Sequence, residues 1–152
     1  MQARMDNPAM VVPGAMTALV ALSSSVAATG LPNPLLLLIT LRASQINGCS
    51  VCVELHSREL RTAGESDERI VAVAAWRDTP WYSDAERAAL ALAEAVTRLS
   101  DRPEAVSDAI WAEASRHFDD KELAGLIVAI AAVNVWNRLN AATRQVAGAR
   151  WD

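Results

Sequence analysis

Cysteine is scarce in this chain, and its two copies sit together as Cys49 and Cys52. So close a pair cannot staple a fold, because the loop it closes removes little freedom from the unfolded chain. The pair is therefore chemical rather than structural, and a reduced compartment is its natural setting. Clustered basic residues are missing too: Arg58 and Arg61 form the densest local pair, and the net charge is -4. Without a basic stripe there is no footprint for a phosphate backbone, which sets nucleic acid aside as a partner. No flavin, haem or nicotinamide motif is visible, so no cofactor is expected. Sustained apolar/polar alternation is absent, which leaves strands without support.

Charge is absent altogether between Asp6 and Arg42. That stretch loosely imitates an export signal, but Asp6, Pro13 and Gly14 interrupt the pattern. Leu35 to Leu41 is too short to span a bilayer, and Pro32 and Pro34 stop it from lengthening. The expectation is a cytoplasmic protein with no membrane partner.

What is present is apolar and helical. The chain has 152 residues, of which 52% are hydrophobic, enough for a single domain (1–152, core about 10–145). Only 21% are charged, consistent with surface shared between subunits. Pro13 opens a first helix through Ala28, with Gly30 beyond it. Pro34 opens a second, apolar nearly all round and hence buried, to about Ile46. Asn47-Gly48 breaks it, and a third helix runs from Cys49 to a stop at Gly64. Ser66 or Asp67 caps a fourth to about Trp76. Ser83 and Glu86 form a capping box for a helix to about Leu99, and Asp101-Arg102-Pro103 breaks the chain before another to Arg116. Asp119 and Glu122 cap the last long helix, 120–142, whose run Leu123 to Val135 belongs at the centre or in an interface. The tail from Gln145 is expected to be loose.

On a helix, Cys49, Cys52 and His56 fall within about 60° of one face. Cys49 would lie in the first turn, where unpaired N–H groups favour a thiolate. His56, one turn beyond Cys52, points back toward it and can take its proton. Two other readings use the same residues. Cys49, Cys52 and His56, with His117, a carboxylate or water as the fourth ligand, are candidates for a zinc site. Alternatively, the cysteines are buried and inert. No βαβ pattern surrounds the motif, so a thioredoxin-like fold is excluded.

The run Leu41-Arg42-Ala43-Ser44-Gln45-Ile46-Asn47-Gly48-Cys49, continued through Cys52 and His56 to Gly64-Glu65, resembles the signature of the carboxymuconolactone decarboxylase superfamily, nearest its AhpD-like alkylhydroperoxidase branch. Gly30-Leu31-Pro32 and Trp76-Arg77-Asp78-Thr79-Pro80 agree on either side. The resemblance implies an all-α, AhpD-like helical bundle built around a helical hairpin and assembled as a homo-oligomer, a trimer or hexamer. It implies a peroxidase that reduces a small hydroperoxide at the expense of an external thiol or dithiol. Cys52 would be the peroxidatic cysteine, Cys49 the resolving cysteine and proton donor, and His56 part of the proton relay. The branch usually carries a glutamate twelve residues before the first cysteine as relay base; Leu37 stands there. Val51 replaces the His or Tyr that some members place before the second cysteine.

Glu59 lies near His56 on the same helix and is the candidate substitute carboxylate; Glu54 points away into solvent. Loss of the glutamate also raises an alternative: a redox-sensing or scaffold oligomer with little turnover. A metal-binding module and a lactone decarboxylase are weaker alternatives. Trp81 and Tyr82 are candidates for a substrate mouth. Four tryptophans are expected as core or interface anchors, with Trp151 in the tail. Asn134 and Asn137 are expected to bond across an interface, and His117 to serve the end of its helix.

Overall fold

The computed structural model describes residues 1–101 and 103–148. Trp151, singled out above, lies outside the described residues. Eight α-helices and two short 3-10 segments are present among the described residues, and no strand. They are α1 (Pro8–Val11), α2 (Ala15–Ser25), α3 (Asn33–Asn47), α4 (Ser50–Thr62), α5 (Asp67–Ala72), α6 (Asp84–Thr97), α7 (Asp108–His117) and α8 (Asp120–Thr143).

The organising element is α3. Its apolar residues face two ways, which explains a helix that is hydrophobic nearly all round. Leu35 and Ile39 join Leu92, Leu126 and Ile130 in one core with α6 and α8. Leu38 and Leu41 join Leu60, Val73, Trp76 and Leu90 in a second, shared with α4 and α6. Each fully buried leucine contributes roughly 2 kcal/mol. α3 and α4 pack together across one tight turn as the expected hairpin.

Local chemistry sets the ends. Both expected capping boxes form: Glu86 N–H donates to Ser83 and Ser83 N–H to Glu86, and Asp119 and Glu122 do the same. Gly64, at φ 90°, ends α4. The N-terminal region differs from expectation. A four-residue helix, α1, precedes Pro13, because Asn7 caps it and Pro8 pre-sets its first turn. The helix expected through Ala28 is α only to Ser25, then 3-10 from Val26 to Thr29. The helix expected to Trp76 turns 3-10 at Val73, where Ala75 leaves helical geometry at φ -125°. After the break, α7 starts only at Asp108, on its cap Ser107.

α8 is central as expected, against α2, α3 and α6. By length and hydropathy it could cross a membrane, but half of its apolar window is buried inside the protein, as in a core helix. Gly125 lets it approach the Val26–Thr29 segment: a Cβ there would lie 2.7 Å from Thr29 Oγ1. Gln145, expected to be loose, is held by its own N–H to Asn140 O and by its side chain to Met5 O.

Candidate active site

The turn between α3 and α4 is built by the motif itself. Gly48 adopts φ 66°, which costs glycine little. Its N–H bonds to Gln45 O, and the N–H of Cys49 reaches back to Ser44 O at 3.1 Å, closing α3. Cys49 therefore ends one helix and opens the next: it is the N-cap of α4 rather than a first-turn residue, and its sulfur accepts from the N–H of Cys52 at 3.3 Å. The rest of the motif braces this turn. Asn47 donates to Asn134 and Asn137, and Asn137 donates to the hydroxyl of Ser44. Asn134 also donates to Thr97. Asn134 and Asn137 thus find their partners inside the chain, not across an interface.

Cys49 and Cys52 form a disulfide, with Cα atoms 5.4 Å apart. Both are buried. Cys52 sits in the first turn of α4, where the helix N-terminus favours negative charge on sulfur once the pair is reduced. Its sulfur accepts a hydrogen bond from the Asn140 side-chain amide at 3.3 Å.

A cavity of about 630 Å³ opens onto Cys52. Val20, Leu37, Leu55 and Trp136 supply apolar wall, and His56 and Glu59 supply the polar part. His56 Nδ1 lies 2.9 Å from Glu59 Oε2. The structure therefore brings Cys49, Cys52, His56 and Glu59 together. Glu54 instead pairs with Arg58 on the solvated side. A second cavity, of about 710 Å³, reaches Cys49 from the end of α8 and is bordered by Met1, Gly48, Arg144 and Gln145.

Trp81 and Tyr82 do not line the Cys52 cavity. Tyr82 belongs to the second core, its hydroxyl bonded to Arg69 O, and burial pushes the phenol up to about 12. Trp81 is exposed, with its carbonyl bonded to Arg69. The tryptophans divide: Trp76 is core, Trp136 lines the cavity with its indole N–H on Ser23, and Trp111 is exposed. His117 ends α7 and bonds to Glu113 on its own helix, apart from the cysteines. Among the described residues no three His, Cys, Asp or Glu side chains converge as metal ligands.

Sequence reasoning missed the buried carboxylate of Glu94. Arg42, Arg77 and the Trp76 indole all donate to it. Burial alone would push its carboxyl up; the bonds from Trp76, Arg77 and Arg42 outweigh that and hold it below the ordinary range. It is the reason for an arginine at position 42, where only positioning of the turn was expected.

Residues 13–95 match the carboxymuconolactone decarboxylase family. The chain belongs to that family. Two relatives, both uncharacterized, are YdfG of Bacillus subtilis (35% identical over 105 residues, 69% of this chain and 70% of that protein) and YnjA of Escherichia coli (36% over 105 residues, 69% and 56%). The fold is AhpD-like: a protein of unknown function from Agrobacterium tumefaciens, put forward as an antioxidant defence protein AhpD, superposes with a TM-score of 0.90 at 36% identity, covering 98% of this chain and 100% of that one. The debrominase Bmp8 superposes with a TM-score of 0.79 at 25% identity, over 90% of this chain and 73% of its own.

Proposed function

We propose that this protein is a thiol-dependent peroxidase acting through the Cys49–Cys52 couple. The observation that carries the reading is that the disulfide, His56 and Glu59 meet at one apolar cavity. The Cys52 thiolate attacks the terminal oxygen of ROOH. The O–O bond breaks, the alcohol ROH leaves with a proton passed through His56, and Cys52 becomes a sulfenic acid. The Cys49 thiol condenses with it, forming the disulfide and releasing water. Two equivalents of an external thiol, or one dithiol, restore the pair and leave as disulfide.

A homo-oligomer, trimer or hexamer, is part of the proposal. α2 buries none of its residues within the chain although it is largely apolar, and Val20 and Leu22 are exposed. Light scattering of the intact protein tests this, and a monomer would remove it.

One observation favours a second reading. Leu37 lines the cavity where the branch places its relay glutamate, which suits a redox-sensing oligomer that forms the disulfide with little turnover.

The test is intact mass and thiol titration after one equivalent of hydroperoxide, in wild type, Cys49→Ser and Cys52→Ser. The peroxidase reading expects rapid loss of both thiols in wild type and a trapped sulfenic acid only in Cys49→Ser. Thiols that stay reduced for minutes would sink it. Oxidation without turnover under a dithiol reductant would select the sensor, and turnover of a brominated aromatic alone would shift the substrate class toward that of the debrominase.

A further inference from the structure

We propose that Asn140 is a catalytic residue that donates a hydrogen bond to the charged sulfur of Cys52, and that Asn7 is the positioning residue that fixes which end of the Asn140 amide faces it. This rests on the reading of Cys52 as the attacking sulfur.

An asparagine amide has a donating end and an accepting end, and the two are told apart only by their partners. Here the assignment is anchored by a backbone group. The N–H of Ala9 can only donate, and it lies 2.9 Å from the Asn7 side chain, whose oxygen must therefore face it. That turns Asn7 Nδ2 toward Asn140, at 2.7 Å, where only an oxygen can receive it. Asn140 is left with Nδ2 on the sulfur of Cys52, at 3.3 Å. All three side chains are buried, so neither amide can exchange its partners for water without cost.

In the disulfide the sulfur is a weak acceptor. As a thiolate it carries full charge, and a hydrogen bond to a charged group is about twice as strong. The contact therefore strengthens when Cys52 is charged, before it attacks peroxide and again when it is released from the disulfide. Asn140 does not itself titrate, so the contact follows the charge of Cys52 alone and proton transfer is left to His56. The ionisable groups facing the two sulfurs are His56 and Glu59 on α4, Arg144 beyond α8, and Met1 from the N-terminal segment, while α2 and α3 present only uncharged residues to the Cys52 cavity.

Delivery of Asn7 is itself engineered by the chain. The N–H of Arg4 bonds to Thr143 O at 2.8 Å, its guanidinium bonds to Ala142 O at 3.0 Å, and Gln145 holds Met5 O at 2.9 Å. The N-terminal segment is thus strapped across the end of α8. Both asparagines lie outside the family match at residues 13–95, so the assignment comes from this chain's own geometry.

The experiment measures the Cys52 thiol pKa in the Cys49→Ser protein, from thiolate absorbance and from the pH profile of alkylation. Asn140→Leu is expected to raise it by about 1, a tenfold change in the ionisation constant. Asn140→Asp, of the same shape, is expected to raise it further. Asn7→Asp keeps the acceptor for Ala9 but removes the donor to Asn140. The Asn140 amide is then expected to turn its oxygen to the sulfur, and the pKa to rise although Asn7 does not touch Cys52. That rise should vanish in the Asn140→Leu background; its persistence would mean that charge alone acts, and would overturn the role of Asn7. An unchanged pKa in folded Asn140→Leu or Asn140→Asp would overturn the role of Asn140. If neither folds, the wild-type Asn140 amide signal in NMR decides: it must follow the Cys52 titration, and a static signal refutes the contact. None of these readouts needs peroxide. A wild type inert to hydroperoxide would fail the peroxidase reading while leaving the amide assignment standing or falling on its own titration.

Discussion

His56 and Glu59 are joined on one face of α4, with Nδ1 and Oε2 2.9 Å apart. The contact commits Nδ1 and leaves Nε2 as the ring nitrogen with no partner among the described residues. Glu59 also orients the ring. On the proposed chemistry, His56→Gln should lower the rate of Cys52 oxidation by ~100-fold, the usual size of a lost acid–base group. Glu59→Gln should cost less, about tenfold, because the imidazole itself remains. Stopped-flow oxidation with one equivalent of hydroperoxide measures both, and equal rates in all three proteins would remove the pair from the relay.

Leu37 offers the opposite experiment. It faces the same cavity from α3 and is partly exposed there. Leu37→Glu is expected to raise steady-state turnover by about tenfold if proton supply limits the native protein. An unaltered rate would show that proton supply from position 37 does not limit turnover.

Glu94 should make the fold acid-sensitive. Its carboxyl is held below the ordinary range in the folded state, so the unfolded chain takes up the proton more readily. The network's contribution is complete above the ordinary carboxylate pKa and is lost as pH falls through the lower folded value. Glu94→Gln leaves the half-buried Arg42 without its anion and is expected to cost about 2 kcal/mol at neutral pH. The variant's stability should also change less between about pH 5 and pH 3 than wild type. Urea unfolding across that range checks both parts.

Gly125→Ala should destabilise by roughly 1–3 kcal/mol. The added methyl meets both Thr29 side-chain branches, at 2.7 and 2.8 Å, and the chi rotation that would clear them breaks the Thr29 bond to Val26 O. A thermal melt unchanged from wild type would mean that α8 shifts freely over that segment.

What the sequence made legible was local. Ser83 with Glu86, Asp119 with Glu122, and Gly48 and Gly64 each act within a few residues, so their spacing carries their structure. The shared face of Cys49, Cys52 and His56 is local in the same sense. Asn7 and Asn140 are 133 residues apart, and no periodicity announces such a pair. The only available signal was the recurrence of asparagine at positions 134, 137 and 140, one face of an otherwise apolar helix. Trp81 and Tyr82 misled because an exposed aromatic and a buried one look alike in a loop. The buried one serves the second core, and the loop's carbonyls are spent on Arg69 and Arg87.

The two sulfurs of one bond look out on different rooms. Cys52 borders the apolar cavity and Cys49 the one at the end of α8, with Asn140 in the wall between. On the proposed chemistry, oxidising and reducing equivalents then have separate doors, and the dithiol works as a valve between them. Selection at either door can drift without disturbing the other: mutations around Trp136 and Val20 would retune the acceptor, and those around Arg144 and Met1 the donor. A bulky peroxide lodged on one side would not compete with the thiol arriving on the other.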